Sequence, residues 1–341
     1  MTDTGEPCIL YGELYTKYKS EVISDIFSKT DIDTRKLVKS KANDVIIPCS
    51  GETAVDIATA RCVPYDNILL GGDLNIIRLY DCDGSFMSYQ LNGKRKYDIA
   101  KVAQGVSVVH LYGDHLKGVK TYNPCLEEQK KIAKLLSLLD ERITTQNKII
   151  EDLKKLKSAI SKNLLCNDKW TTYKIQDIAE IGRGRVISSV EIDRQKHPLY
   201  PVYSSQTSND GIMGYLDNYM FDGEYITWTT DGANAGTVFY RKGKFNCTNV
   251  CGTLKIQPKF DCYFVSLVLQ QATQKYVSSN LANPKLMNNT MASIKIRMPN
   301  IETQKQLSKV FQTLDSCLLV HQRTCKMYLS EKQYLLCQMF I

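Results

Sequence analysis

Two stretches of the chain carry apolar residues at uninterrupted helical spacing. In the first, Ile132, Leu139, Leu153 and Ile160 fall seven or fourteen residues apart, and Leu136, Ile143, Ile150 and Leu164 fill the positions four residues later. Lys, Glu, Gln and Asp take the outer positions, and neither Pro nor Gly occurs between Leu126 and Cys166. The spacing predicts a helix of about 39 residues, nearly 60 Å long at ~1.5 Å per residue, too long for one side of a small domain. The second stretch repeats the pattern with Leu307, Phe311, Leu314, Leu318, Tyr328, Leu335 and Met339. Pro124 and Pro299 precede the two starts and mark the boundaries.

The two stretches are copies. Pro124-Cys-Leu-Glu-Glu-Gln-Lys-Lys-Ile132 matches Pro299-Asn-Ile-Glu-Thr-Gln-Lys-Gln-Leu307 without a gap, 175 residues apart. The register holds onward, setting Leu136 on Phe311, Leu139 on Leu314, Asp140 on Asp315 and Leu164 on Met339, and backward, setting Leu111 on Leu286. A repeat this long is no solenoid; it reads as a globular domain followed by a long helix, twice. Gln146 and His321 hold the same heptad position, each the single polar residue where an apolar one is expected. In an antiparallel pair related by a pseudo-twofold they would face each other as one polar layer fixing the helix register.

Between the helices the pattern changes to short strands. Tyr225-Ile-Thr-Trp-Thr, Thr237-Val-Phe-Tyr and Gly252-Thr-Leu-Lys-Ile are strand-like, separated by Asp231-Gly232 and Lys242-Gly243 turns, and Cys262 to Val277 reads as helix. The first globular part has the same plan: Asp44-Val-Ile-Ile-Pro, a loop at Ser50-Gly-Glu-Thr53, a strand around Leu74-Asn-Ile-Ile-Arg78 and a helix from Ser85 to Leu91. The expected fold class is mixed α/β (α+β), with two such domains separated by two long antiparallel coiled-coil helices in a pseudo-twofold repeat. Residues 1–124 and 167–299 form the domains, and residues 125–166 and 300–341 the helices. The globular parts match each other far less well than the helices do, as two different recognition tasks on one frame would require.

Composition narrows the class. At 341 residues the chain has length for about two domains. It carries 44 Lys+Arg against 36 Asp+Glu, a net charge of +8 that admits an anionic partner without requiring one. No run approaches the ~18 apolar residues that span a bilayer, and the first residues lack the features of a signal peptide, so no membrane role and a cytoplasmic location are expected. Of 12 Cys only Cys247 and Cys251 lie close together, and the four His are elsewhere; buried reduced thiols are favoured over a metal site.

The patterns of several enzyme classes are absent. Gly113 to Lys120 has Val119 where a phosphate-binding loop needs Lys, and Gly182-Arg-Gly-Arg185 lacks the third Gly of a dinucleotide fingerprint. Asn123-Pro124 runs into Cys125 rather than into a methyltransferase motif. No Pro-Asp of a metal-dependent nuclease and no Gly-x-Ser-x-Gly occurs. What remains is cationic and polar groups on the globular parts, suited to phosphates and base edges. In the first part these are Lys94, Arg95 and Lys96. In the second they are Arg183, Arg185, Arg241, Lys242 and Lys244, with Gln206 and Asn209 in the polar loop Tyr203-Ser-Ser-Gln-Thr-Ser-Asn209.

With the repeat in place, nearly the whole chain resembles the specificity (S) subunit of type I restriction–modification systems. The resemblance rests on Pro124-Cys-Leu-Glu-Glu-Gln-Lys-Lys-Ile opening a long helix with Leu139-Asp-Glu141, and on its second copy ending near Met339-Phe340. It rests also on Ser50-Gly-Glu-Thr with Gly71-Gly-Asp-Leu-Asn75, and on Trp228-Thr-Thr-Asp-Gly-Ala-Asn-Ala-Gly-Thr-Val. The resemblance implies two target-recognition domains, each reading one half of a split double-stranded DNA sequence. It implies helices that set the spacer and dock two methyltransferase (M) subunits, with restriction (R) subunits joining them. It implies no catalysis by this chain; S-adenosylmethionine, ATP and Mg belong to the partner subunits. The remaining readings are a coiled-coil adaptor binding protein, and a silent or truncated variant without DNA binding of its own.

One departure stands out. The second part opens with Trp170-Thr-Thr-Tyr-Lys-Ile-Gln-Asp-Ile-Ala-Glu-Ile-Gly, and the first has no counterpart. Setting Pro7 to Tyr11 on Pro198 to Tyr203 leaves the first domain short of about 25 residues at its start, on the repeat logic above.

Overall fold

A computed structural model describes residues 4–32, 37–164, 169–278 and 283–340. The side chain of Leu164, Cys166 and the expected 166/167 boundary lie outside the described residues. Two long helices are present, Leu126–Leu164 and Ile301–Gln338. The chain divides into two compact units, Met1–Ile150 with Val320–Ile341, and Glu151–Leu319, each holding part of both long helices.

In the first unit, Asp44–Pro48 is the middle strand of a sheet, antiparallel to Arg61–Val63 on one side and Leu74–Ile77 on the other. Its five residues are all buried, as a run of Val and Ile requires. A second sheet sets Glu6–Ile9 antiparallel to Ser28–Thr30 and parallel to Leu69–Leu70. Ser50–Gly51, expected as loop, pairs with Val109–His110, and the Ser50 hydroxyl donates to Asp73. The two loop motifs of the first domain are thereby joined.

The second unit repeats this plan with longer strands. Glu224–Thr229 lies between Val238–Lys242 and Cys251–Ile256, both antiparallel, and Ala179–Arg183 adds a fourth strand beyond Cys251–Ile256. Tyr200–Tyr203 is antiparallel to Ile212–Leu216 and parallel to Asn246–Cys247, as Glu6–Ile9 is to its own neighbours. This topology sets Pro7 on Pro201 and not on Pro198. Thr171–Lys174 pairs with Lys295–Met298. The helix expected from Cys262 to Val277 runs Cys262–Ala272 and tightens to a 3₁₀ turn at Thr273–Tyr276.

A matched set of bonds fastens each globular part to a long helix. Asp83 caps the helix Gly84–Asn92 by accepting from the Phe86 N–H at 2.8 Å, and Asp261 caps Cys262–Ala272 by accepting from Phe264 at 2.8 Å. The cap residue is held in turn by a buried glutamine. Gln129 accepts from the Asp83 N–H at 2.9 Å and donates to the Pro124 carbonyl at 2.8 Å. Gln304 accepts from the Asp261 N–H at 3.0 Å and donates to the Pro299 carbonyl at 2.8 Å. Further along, the Tyr89 hydroxyl donates to Asp140 and Lys332 pairs with Asp140 and Glu21. In the second unit the Tyr263 hydroxyl donates to Asp315 and Lys157 pairs with it. Within the first unit Asp140 meets Lys332, Arg142 meets Tyr328, and Gln146 meets His321, partner numbers falling as the helix advances.

Candidate nucleic-acid interface

Five loops of the second unit are tied together by hydrogen bonds. Gly184 makes the first approach possible, because a Cβ there would sit 2.2 Å from the Cys247 carbonyl oxygen. The chain therefore passes flush against residues 247–248, with the Arg185 N–H donating to Cys247 O at 3.2 Å. On either side of this glycine stand Arg183 and Arg185. Asn234 donates to the Ser205 carbonyl at 3.0 Å, which fixes the 230–236 loop on the 204–212 loop. Gly232 donates to Pro284 O at 3.0 Å and brings in the 283–285 segment.

The charges at this end are partly neutralised. Arg183 lies 3.2 Å from an Asp231 oxygen and 3.1 Å from Thr230 Oγ1, and Lys285 lies 3.5 Å from the other Asp231 oxygen. Two cations thus share one carboxylate and leave a net positive charge. Arg185 makes a two-pronged pair with Glu191; that bond holds the guanidinium above its usual range and the Glu191 carboxyl below its own. Gln206 donates to Ile212 O within its loop. Asn209 is exposed and left-handed, with φ of 50°. Asn tolerates this backbone conformation, and its Nδ2 lies 3.5 Å from the Ile212 carbonyl oxygen of the same loop.

Arg241 departs from the expectation of a DNA-facing charge. It is 7% exposed, and its guanidinium lies 3.6 Å from the Tyr203 ring and 4.4 Å from the Phe239 ring. Its Nη2 donates to the Asp210 carbonyl at 2.7 Å and its Nε to Thr227 Oγ1 at 3.3 Å. Burial pulls the guanidinium below its usual range. The side chain braces the 204–212 loop from beneath and cannot reach a phosphate. Lys242 and Lys244 lie away from the Arg183 loops: Lys242 stands opposite Glu224, about 13 Å along the strand from Val238. Lys242 pairs with Glu224 at 3.2 Å, and the exposed Lys244 lies 4.4 Å from the Tyr219 ring.

In the first unit only Lys94 of the basic trio is exposed, and Arg95 and Lys96 are half-buried. Arg95 turns to Asp98 at 3.3 Å, and Lys96 reaches Thr59 at 3.4 Å. Burial, and then the charge of Arg61, pull the Lys96 ammonium below its usual range. The adjacent Gly93 abuts Leu336 of the second long helix, where a Cβ would meet the carbonyl oxygen at 2.6 Å. Of this trio of candidate DNA contacts, Arg95 and Lys96 are engaged by Asp98 and Thr59 of their own unit.

Sequence reasoning missed Asp231 with Lys285, which control the charge around Arg183, and Asn234, which locks two loops. Fifty-four residues separate Asp231 from Lys285, and no spacing signal links them. Cys247 and Cys251 are both buried, and burial raises both thiols. Among the described residues no group of three or more His, Cys, Asp or Glu could hold a metal ion.

The sequence matches the type I restriction modification DNA specificity domain twice, over residues 10–155 and 167–326. A putative type I specificity subunit of Mycoplasma pneumoniae is 39% identical over 190 residues, 55% of this chain and 79% of that protein. The specificity subunit of the type I restriction enzyme MpnII of the same organism is 43% identical over 145 residues, 42% of this chain and 43% of that one. The crystal structure of a type I restriction–modification S subunit from M. genitalium superposes with a TM-score of 0.70 at 19% identity, covering 98% of this chain and 92% of the other. At that identity the likeness is one of fold. No helix among the described residues is long and apolar enough to cross a membrane.

Proposed function

The chain belongs to the type I restriction modification DNA specificity family, and on that premise we propose that each of its globular domains reads one half of a bipartite DNA target. The two long helices run as an antiparallel coiled coil related by a pseudo-twofold. They set the spacer between the half-sites and dock two methyltransferase (M) subunits, which restriction (R) subunits join. The chain carries no chemistry of its own; S-adenosylmethionine, ATP and Mg act on the partner subunits, and the assembly works in the cytoplasm. The observation that carries this reading is the duplicated fastening of domain to helix, Gln129 on Asp83 and Gln304 on Asp261. Each recognition unit is thereby held at a fixed place on its helix, as measuring between half-sites requires.

In the second domain the surface offered to DNA is the loop end bearing Arg183, Arg185, Gln206, Asn209 and Asn234, with Lys242 and Lys244 forming a second patch and Lys94 a contact of the first domain. Purification from the source cell tests the reading. M and R subunits should co-purify, and the complex should bind one bipartite sequence far more tightly than the chain alone. Methyl transfer by the isolated chain with S-adenosylmethionine would overturn it. A second reading, a variant or adaptor without its own DNA binding, draws on the pairing of Arg183 and Arg185 with Asp231 and Glu191. It predicts an M complex whose affinity for duplex DNA is independent of sequence.

A further inference from the structure

Each globular part meets a long helix in a cleft at the same place of the repeat. In the second unit the cleft lies between Gln270 and Gln271, near the end of the helix capped by Asp261, and Ser158, Ser161 and Lys162. In the first it lies between Asn92 and Gly93, at the end of the helix capped by Asp83, and Gln333, Leu336 and Cys337. The last three residues are the repeat mates of Ser158, Ser161 and Lys162. The two clefts differ in charge. In the second unit Lys157 is paired with Asp315, and Lys154 and Lys162 are exposed. In the first, a cleft of about 420 Å³ has Lys19, Arg61, Lys94 and Lys96 in its walls, with Glu21 the only carboxylate among its lining residues.

Glu21 does not neutralise these cations. It is paired with Lys332, which Asp140 also holds, so Lys332 and Arg61 balance Glu21 and Asp140. Arg61 is buried and donates Nε, Nη1 and Nη2 to the carbonyls of Leu14, Ala60 and Tyr18. Lys19, Lys94 and Lys96 remain, and among the described residues none of them forms an ion pair. Lys19 donates to the Thr16 carbonyl at 2.8 Å and Lys96 to Thr59 Oγ1 at 3.4 Å, neutral acceptors that leave both charges in place. At the half-buried Lys96, burial and then the charge of Arg61 outweigh the attraction of Asp56 and Glu21. The cleft is therefore net positive.

We propose that this cleft of the first unit binds the diphosphate group of a small molecule. The inference goes beyond the DNA-reading function proposed above and shares only Lys94 with it. Three ammonium groups from two segments of chain face one concavity, each with donors to spare. A monocarboxylate would answer one of them, whereas a diphosphate brings several charged oxygens to all three. Arg61 is buried and Lys96 half-buried, so these cations are offered to a ligand that enters the cleft rather than to a duplex lying across the surface. Val55 and Tyr97 line the same cleft and are both exposed, an apolar side chain and a ring against which a base can stack. Free diphosphate and a nucleoside diphosphate share the chemistry that the lysines recognise.

Isothermal titration calorimetry of the full chain with inorganic diphosphate and with ADP, at ~150 mM salt so that diffuse attraction is screened, tests this. Saturable binding at a single site is expected. Lys94→Gln and Lys96→Gln should each weaken it about tenfold, the loss of one charge-assisted bond. Lys154→Gln with Lys162→Gln, in the other cleft, should leave it unchanged. Tyr97→Ala separates the sources: weakening confined to ADP identifies a nucleotide, and equal binding of both probes with or without the ring identifies free diphosphate. Lys19→Gln should weaken diphosphate severalfold and leave duplex binding by the M complex intact. Loss of both would make the cleft a contact for a DNA phosphate and overturn the proposal. So would absence of saturable binding, binding indifferent to both Lys94→Gln and Lys96→Gln, or an equal loss in the Lys154 and Lys162 variant. Should Lys96→Gln prove unfolded by circular dichroism, the exposed Lys94 decides alone.

Discussion

His321 Nδ1 lies 2.7 Å from Gln146 Oε1, a polar contact between the two long helices that joins those of Asp140 with Lys332 and Arg142 with Tyr328. Both side chains are half-buried and occupy the same position of the 175-residue repeat. Removing one partner and removing both are therefore different experiments. Gln146→Leu alone leaves the imidazole nitrogen without its bond and should lower stability by about 1 kcal/mol. Gln146→Leu with His321→Leu replaces this polar contact by apolar packing, should melt above either single variant, and should loosen the register. One turn of slip moves a residue ~5.4 Å along a helix, more than the ~3.4 Å rise of one base-pair step. The double variant, assembled with M subunits, should methylate substrates whose spacer is one base pair longer or shorter. Equal melting and equal spacer preference across all three variants would show that the contact does not set the register.

The glutamine clamps give a prediction for each unit separately. Gln129 and Gln304 are buried, and each bridges a helix-capping Asp N–H to a Pro carbonyl with both ends of its amide. Alanine in either place loses two neutral hydrogen bonds and should cost about 2 kcal/mol. Glutamate keeps the acceptor and loses the donor, so it should cost less than alanine at low pH, where it is protonated and donates again. Urea melts of the four variants measure this; alanine variants as stable as the wild type would show that water replaces the amide without loss.

The repeat and the helices were legible because period and spacing are local properties. Leu126–Leu164 and Ile301–Gln338 follow directly from the run of heptads and the absence of Pro and Gly. The ion pairs of Asp140 with Lys332 and Asp315 with Lys157 were present in the same register, since Lys157 and Lys332 are also repeat mates, yet nothing in the sequence says which Lys meets which Asp. The site was less legible for a related reason. Arg241 and Lys242 are adjacent and equally basic, but strand alternation sends one between Tyr203 and Phe239 and the other to solvent. Which face was inward depended on the 204–212 loop, thirty residues away.

Two tyrosines tie stability to alkaline pH. Tyr89 is buried and Tyr263 partly buried, and they donate to Asp140 and Asp315; desolvation first, then the negative charge of the carboxylate and the hydrogen bond to it, raise both phenols far above their ordinary value. The neutral phenol is the form the fold favours. Its contribution is present in full below the unfolded value near ~10 and is lost as pH rises beyond it, because the unfolded chain then releases a proton that the folded chain keeps. Denaturant midpoints should fall between pH 9 and 11 more steeply for the wild type than for Tyr89→Phe with Tyr263→Phe, taking ~10 as the reference pKa. Parallel curves would place the alkaline loss elsewhere.

The loop end of the second unit makes its own prediction about charge. If Arg183, Arg185 and Lys242 each neutralise a DNA phosphate in the M complex, each change to Ala should reduce the magnitude of the log–log salt slope by about 0.9. Arg185 offers a sharper test, since its guanidinium is held by Glu191. Glu191→Gln weakens that pairing and frees the cation, so affinity at low salt should rise in the wild-type background and not in Arg185→Ala. Arg241→Ala is the contrasting case: it removes a buried guanidinium from between two rings and two acceptors. It should lower unit stability by about 2 kcal/mol through lost cation–π contact and hydrogen bonding, with the salt slope of the surviving folded fraction unchanged. Salt titrations by filter binding, paired with melts, separate the two effects. A slope that falls for Arg241→Ala and stays fixed for Arg183→Ala and Arg185→Ala would invert the assignment and move the DNA surface to the Tyr203 side of the domain.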